Sequence, residues 1–138
     1  MKEPVWIDER VVLVLHDRLL ALDGGSPGVR SESLLGSTLA RPKQILAYGD
    51  SPDIIDMAAA YTVGIVRNHP FVDGNKRTGF VVGVLFLEMN GYDFTAPEEE
   101  ATQMILGLAA GTLKEASFTG WLRSNAQVVP KRAERGKK

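Results

Sequence analysis

Chemistry concentrates in one stretch of this chain, RNHPFVDGNKRTGFVVGVLFLEMNG, residues 67–91. Between positions 69 and 77 stand an imidazole (His69), a carboxylate (Asp73), an amide (Asn75) and two cations (Lys76 and Arg77). An imidazole titrates near neutrality and can take a proton from a hydroxyl. Paired cations next to it suit an anionic substrate. The residues that follow, Phe80 to Leu87, are all apolar or glycine, so they can be buried on every side. Length and end signals predict a helix from about Asn75 to Asn90: Asp73-Gly74-Asn75 suits its start and Gly91 its stop. The N–H groups of Gly74, Asn75 and Lys76 would then lie unpaired beside the Lys76 and Arg77 side chains, an arrangement that binds phosphate.

Two metal or phosphate motifs fail here and one survives. Gly74 to Gly79 has Walker A spacing, but Phe80 and Val81 follow where Lys and Ser/Thr are needed. Zinc lacks ligands, because the other histidine is His16 and there is no cysteine. Asp73 suits magnesium, which takes one or two carboxylates and draws its other ligands from phosphates and water. His16-Asp17 lacks the further His and Asp ligands of a metal-dependent phosphohydrolase and reads as a partly packed structural histidine.

The elements that must position these groups are helical. Val11, Val12, Leu15, Leu19 and Leu22 recur at helical spacing after Asp8, a cap, and Asp23-Gly24-Gly25 ends that helix. Ser31 caps a short helix through Leu34, Leu35 and Leu39 that is expected to stop before Pro42. Residues 43–51, KQILAYGDS, are less regular than the segments on either side. A helix from Ser51, with Pro52 in its first turn, runs to about Asn68 and delivers His69 to the loop. Phe71 and Val72 read as loop anchors inserted into the core. Pro97 and Glu98-Glu99-Glu100 open a further helix, where acid complements the dipole, and a last one from about Ser117 groups Phe118, Trp121 and Leu122. No segment shows strand alternation. The expected architecture is all-α, a single compact domain over residues 1–126, of five to seven helices around the 75–90 helix. The basic segment 127–138 is expected to be disordered.

Composition narrows the class. With 138 residues, 44% hydrophobic and 24% charged, the chain suits one globular domain. A net charge of −1 provides no general field towards nucleic acid or membrane. The absence of cysteine removes disulfides and thiol catalysis. The N-terminal segment carries acids where a signal peptide has its apolar region, and no apolar run reaches the roughly 20 residues that span a bilayer, so a cytoplasmic location is expected.

The motif HPFVDGNKRTG resembles that of the Fic/Doc (Fido) family, and with Lys76 it resembles the death-on-curing (Doc) branch. The Fic form has Gly at position 76 and a second Arg at position 80, where this chain has Phe80. The resemblance extends through residues 24–42 and 90–94, and because members of the wider family place a target-docking flap ahead of the motif helices, it makes 43–51 either that flap or an ordinary loop. It implies a toxin that moves the terminal phosphate of ATP to a threonine hydroxyl of a translation protein, elongation factor Tu, and so arrests translation. In that reading His69 is the base and Asp73 holds Mg2+, while Gly74, Asn75, Lys76 and Arg77 hold ATP phosphates. The alternatives are AMP transfer of the Fic type and a catalytically silent binding module. No Glu is followed by Gly or Asn, so the self-inhibitory motif of Fic proteins is missing. Restraint would come from a Phd-like antitoxin whose C-terminal segment folds into a groove, with no direct contact to nucleic acid or membrane.

Overall fold

A computed structural model describes residues 3–130. Along the chain come α1 (Glu9–Asp23), α2 (Glu32–Tyr48), α3 (Ile54–Asn68), α4 (Asn75–Met89), β1 (Tyr92–Phe94), α5 (Glu98–Ala110), α6 (Glu115–Ser124) and β2 (Ala126–Val128). The helical domain expected from the sequence is what forms, with six helices among the described residues. None of these helices is long and apolar enough to cross a membrane.

The centre of the domain is α3, not the 75–90 helix. Every residue from Met57 to Val66 is buried, because Ala58, Ala59, Ala60 and Gly64 let α2, α4, α5 and α6 approach closely. By contrast α4 buries Thr78, Gly79, Val82, Gly83, Phe86 and Leu87 but leaves Phe80, Val81, Val84 and Leu85 half-exposed. The expectation of burial on all sides is corrected: an apolar run tells how much can be buried, not how many neighbours arrive.

Helix starts follow local chemistry. The Asp8 and Ser31 side chains accept from the N–H groups of Arg10 and Leu34, as expected of caps. At α3 the cap is Asp53, in a reciprocal capping box with Asp56, so the helix begins at Ile54 and Pro52 lies outside it. The stop expected before Pro42 does not occur, and α2 continues to Tyr48. Pro42 costs a helical hydrogen bond, offset by burying Leu35, Leu39 and Pro42 itself on one side of the helix. Residues 43–48 are therefore helix, and α2 runs back along α3, so the 43–51 segment lies at the end of α3 remote from His69. It cannot be a flap over that histidine. Two strands also form where none was expected: Tyr92, Asp93 and Phe94 pair antiparallel with Val128, Gln127 and Ala126. Three-residue strands are too short to show alternation. Residues 127 and 128, assigned to the tail, thus belong to this ribbon, and residues 131–138 lie outside the described residues.

Arg123 of α6 bonds Asp53 at 2.5 Å and Asp56 at 3.4 Å, tying α6 to the start of α3. Burial pushes the Asp53 carboxyl up, but the Arg123 guanidinium and the Asp56 hydrogen bonds outweigh it and hold Asp53 below its ordinary value. Burial, and then the neighbouring Asp53, raise Asp56. A depressed carboxyl contributes stability above its unfolded pKa, about 3.9, and loses it as pH falls through the folded value. Asp56 acts in the opposite sense. Asp53→Asn keeps a capping side chain and removes the ion pair, so its acid-unfolding limb should be shallower than that of the wild type below about pH 4. Circular dichroism against pH measures this, and identical limbs would remove Asp53 from the acid response.

Candidate active site

His69 is the residue that ends α3. It sits in the left-handed region (φ 52°, ψ 57°), donates its N–H to the Ile65 carbonyl at 3.3 Å, and its side chain is exposed. Few residues other than glycine adopt this conformation without support from their surroundings. Here the support is Arg30, whose Nε donates to the His69 carbonyl at 2.6 Å and whose Nη2 donates to the Asn68 carbonyl at 2.7 Å. Two of the last carbonyls of α3 are thereby satisfied by a cation, which also complements the helix dipole. The segment carrying Arg30 pairs with the motif loop through a Val29–Phe71 bridge. The N–H groups of Arg30 and Ser31 donate to the Pro70 carbonyl at 2.7 and 3.1 Å, and Val72 N–H donates to the Gly28 carbonyl at 3.0 Å. Sequence reading placed GGSPGVR in the pattern but gave Arg30 no task; its partners are 38 and 39 residues away, with no local signal to reveal them. Arg30→Ala should lower the melting temperature by a few degrees. It should also slow turnover about tenfold or more by loosening the backbone of His69. A rate unchanged in a folded variant would make the clamp purely structural.

The loop from Pro70 to Gly74 is held from below. Phe71 is fully buried, as expected of an anchor, whereas Val72 is 53% exposed and anchors only through its backbone. Asn75 is buried, and its side chain both accepts from Phe71 N–H at 3.0 Å and donates to Phe71 C=O at 2.9 Å. Both ends of its amide are therefore engaged inside the protein, and what Asn75 can offer a ligand is its backbone N–H. Asp73 is exposed, with Oδ2 accepting from Ser26 N–H at 3.1 Å and Oδ1 from Gly74 N–H at 2.9 Å. Those bonds, to Ser26 first and Gly74 second, hold its carboxyl below the ordinary value, with a further contribution from Lys76. Gly25 is needed for this contact, since a Cβ there would lie 3.0 Å from Asp73 Oδ2.

Gly74, at φ 77°, is the N-cap of α4, and no side chain caps that helix. Its first N–H groups, from Asn75 onward, are thus available to an anion, with Lys76 and Arg77 exposed beside them. Arg77 pairs with Asp23 at 3.4 Å where α1 ends. No cluster of three metal-ligating side chains exists among the described residues. A single exposed carboxylate, Asp73, beside an uncapped helix start is a donor set that could serve magnesium carried largely by phosphates and water. Phe80 turns edge-on to Phe94, and Phe94 to Trp121, with ring centroids 6.0 and 5.5 Å apart. Two hollows lie along α4, the first of them bordering the site. One of about 500 Å3 runs from Lys76 and Arg77 past Phe80 and Val81 to Ala101 and Ile105 of α5. Another of about 440 Å3 lies along Leu15, Val81, Val84, Leu85 and Phe94.

Comparison with known proteins gives this geometry its relatives. Residues 6–87 match the model of the Fic/DOC family. The chain is 34% identical to "Protein kinase doc" of Escherichia phage P1 over 122 residues, covering 85% of this chain and 92% of that protein. It is 43% identical to "Toxin Doc" of Mycolicibacterium smegmatis over 75 residues, 53% of this chain and 57% of that protein. The family match spans both helices that meet at the His69 loop and the α1 and α2 segments that brace it, so the shared pattern and the assembled site coincide. This chain belongs to the Fic/DOC family, in its Doc branch.

Proposed function

We propose that this protein is a Doc-like toxin that transfers the terminal phosphate of ATP to a hydroxyl of a protein. The observation that carries the reading is the junction of α3 and α4, where an exposed histidine ends one helix and an uncapped, doubly cationic helix start follows five residues later. Similarity to a relative named a protein kinase supports the reaction type. His69 takes the proton of the attacking hydroxyl, whose oxygen bonds to the terminal phosphorus. The bond from that phosphorus to its bridging oxygen breaks, ADP leaves with the electron pair, and His69 returns its proton to solvent. Lys76, Arg77 and the first amides of α4 hold the phosphates as charge shifts during transfer. Magnesium, when bound at Asp73, neutralises phosphate charge. The target we infer is a threonine of a cytoplasmic translation protein, elongation factor Tu.

ATP labelled on the terminal or the innermost phosphate, incubated with this protein and elongation factor Tu, tests the reading. Terminal label on the target is expected. Label from the innermost phosphate would establish AMP transfer instead, and neither label would return the protein to the class of silent binding modules. Lys76→Gly, which restores the Fic spelling at that position, should weaken nucleotide binding about tenfold, because a cation beside phosphate in a partly desolvated site is worth more than in water. Restraint of such a toxin falls to an antitoxin. The half-exposed Val81, Val84 and Leu85 lining the α1–α4 hollow suit the apolar face of a segment that folds on binding.

A further inference from the structure

One buried polar group beneath the loop remains without a task in that reading. His16, on α1, is 2% exposed. Its ring stacks on Phe71 with centroids 3.8 Å apart and planes 12° apart, and its Nε2 lies 2.8 Å from the Asp73 carbonyl oxygen. A carbonyl oxygen only accepts, so Nε2 carries the proton and donates. The ring also floors Gly74, where an added Cβ would lie 3.6 Å from Nε2.

Consider what that bond fixes. The carbonyl of Asp73 and the N–H of Gly74 belong to one planar peptide. The carbonyl is held by His16, and the N–H is held by the Oδ1 of Asp73's own carboxylate at 2.9 Å. Rotating this peptide breaks both bonds at once. Its plane also sets the left-handed turn at Gly74, hence the direction in which the first amides of α4 point. Packing alone asks for less. A phenyl ring could stack on Phe71 in the same place without the cost of burying an imidazole.

We infer that His16 is a positioning residue: through the Asp73–Gly74 peptide it holds the Asp73 carboxylate, and the start of α4, in the orientation that receives a nucleotide-bound divalent cation. The inference rests on the proposed function. Outer hydrogen bonds to a metal-binding group are typically worth about 10–100-fold in metal affinity or activity.

Two replacements separate the stack from the hydrogen bond. His16→Phe keeps the stack and loses the donor, and His16→Gln keeps a donor at a similar reach. Binding of Mn2+ in the presence of a non-transferable ATP analogue, followed by electron paramagnetic resonance on the full chain, gives a readout that does not depend on turnover. His16→Phe is expected to weaken Mn2+ binding about tenfold or more with a melting temperature near that of the wild type, and His16→Gln to stay within about threefold. In an Asp73→Asn background the loss caused by His16→Phe should shrink markedly, because the part of its effect that passes through that carboxylate is gone. Should the phenyl ring prevent folding, His16→Leu serves the same comparison. Undiminished Mn2+ binding by a folded His16→Phe or His16→Leu protein, or equal losses in the presence and absence of the Asp73 carboxylate, would overturn the inference while leaving the proposed function standing. No Mn2+ binding by the wild type with the analogue would overturn both.

Discussion

Replacing His69 by alanine is expected to lower phosphoryl transfer by about 10²–10⁴-fold while the protein stays folded. The side chain is exposed and has no part in the core, so little packing is lost. The backbone, however, is left-handed at this position, and alanine tolerates that conformation poorly. Asparagine adopts it more readily, so His69→Asn is the cleaner variant: it removes the base and preserves the turn. Both should show the same loss of rate, with His69→Asn melting closer to the wild type. Terminal-phosphate transfer and thermal unfolding, measured on the same preparations, decide the matter. Transfer at the wild-type rate by a folded His69→Asn protein would exclude His69 as the base, and the amides and cations of α4 would then have to account for the reaction.

Gly83→Val is expected to abolish or nearly abolish folding. Gly79 and Gly83 lie one turn apart on the face of α4 that meets α3, where the Thr62 hydroxyl donates to the Gly79 carbonyl at 2.8 Å. A Cβ at Gly83 would overlap the Thr62 hydroxyl and lie 3.1 Å from the Ala58 carbonyl oxygen; one at Gly79 would lie 2.9 Å from Val66 Cγ2. A backbone oxygen cannot step aside, so the helices must separate. Overpacking by a methylene costs about 1–3 kcal/mol, valine adds three carbons, and the whole fold is worth about 5–15 kcal/mol. Gly36→Ala in α2 is the matched control, since nothing lies within 4 Å of its added Cβ. It should be neutral or stabilise by up to about 1 kcal/mol. Urea unfolding of the two variants tests the contrast, and comparable stabilities would mean that α3 and α4 have slack between them. The site depends on that contact, because α3 ends at His69 and α4 begins where the phosphates are expected to lie.

What was legible in the residues was local. Helix starts at Asp8 and Ser31, stops at Gly24 and Gly91, and the acidic first turn of α5 were readable because a cap involves groups within one turn of chain. The groups that could do chemistry were readable as a cluster for the same reason, since His69, Asp73, Lys76 and Arg77 fall within nine residues. Other matters were settled only in the folded molecule. Arg30 and His16 reach the loop from 39 and 57 residues away, and neither has a neighbour in sequence that announces it. Asn75 looks the same on paper as the cations that follow it, yet its side chain turns inward, because the loop needed a partner for the buried N–H and C=O of Phe71. Pro42 inside α2, the central place of α3 and the half-open face of α4 depend on which surfaces are covered, and an apolar side chain carries no record of its neighbour. Residue types determined which chemical groups the loop carries, and tertiary packing decided how those groups are aimed, because the hydrophobic effect is non-directional and only specific contacts confer orientation.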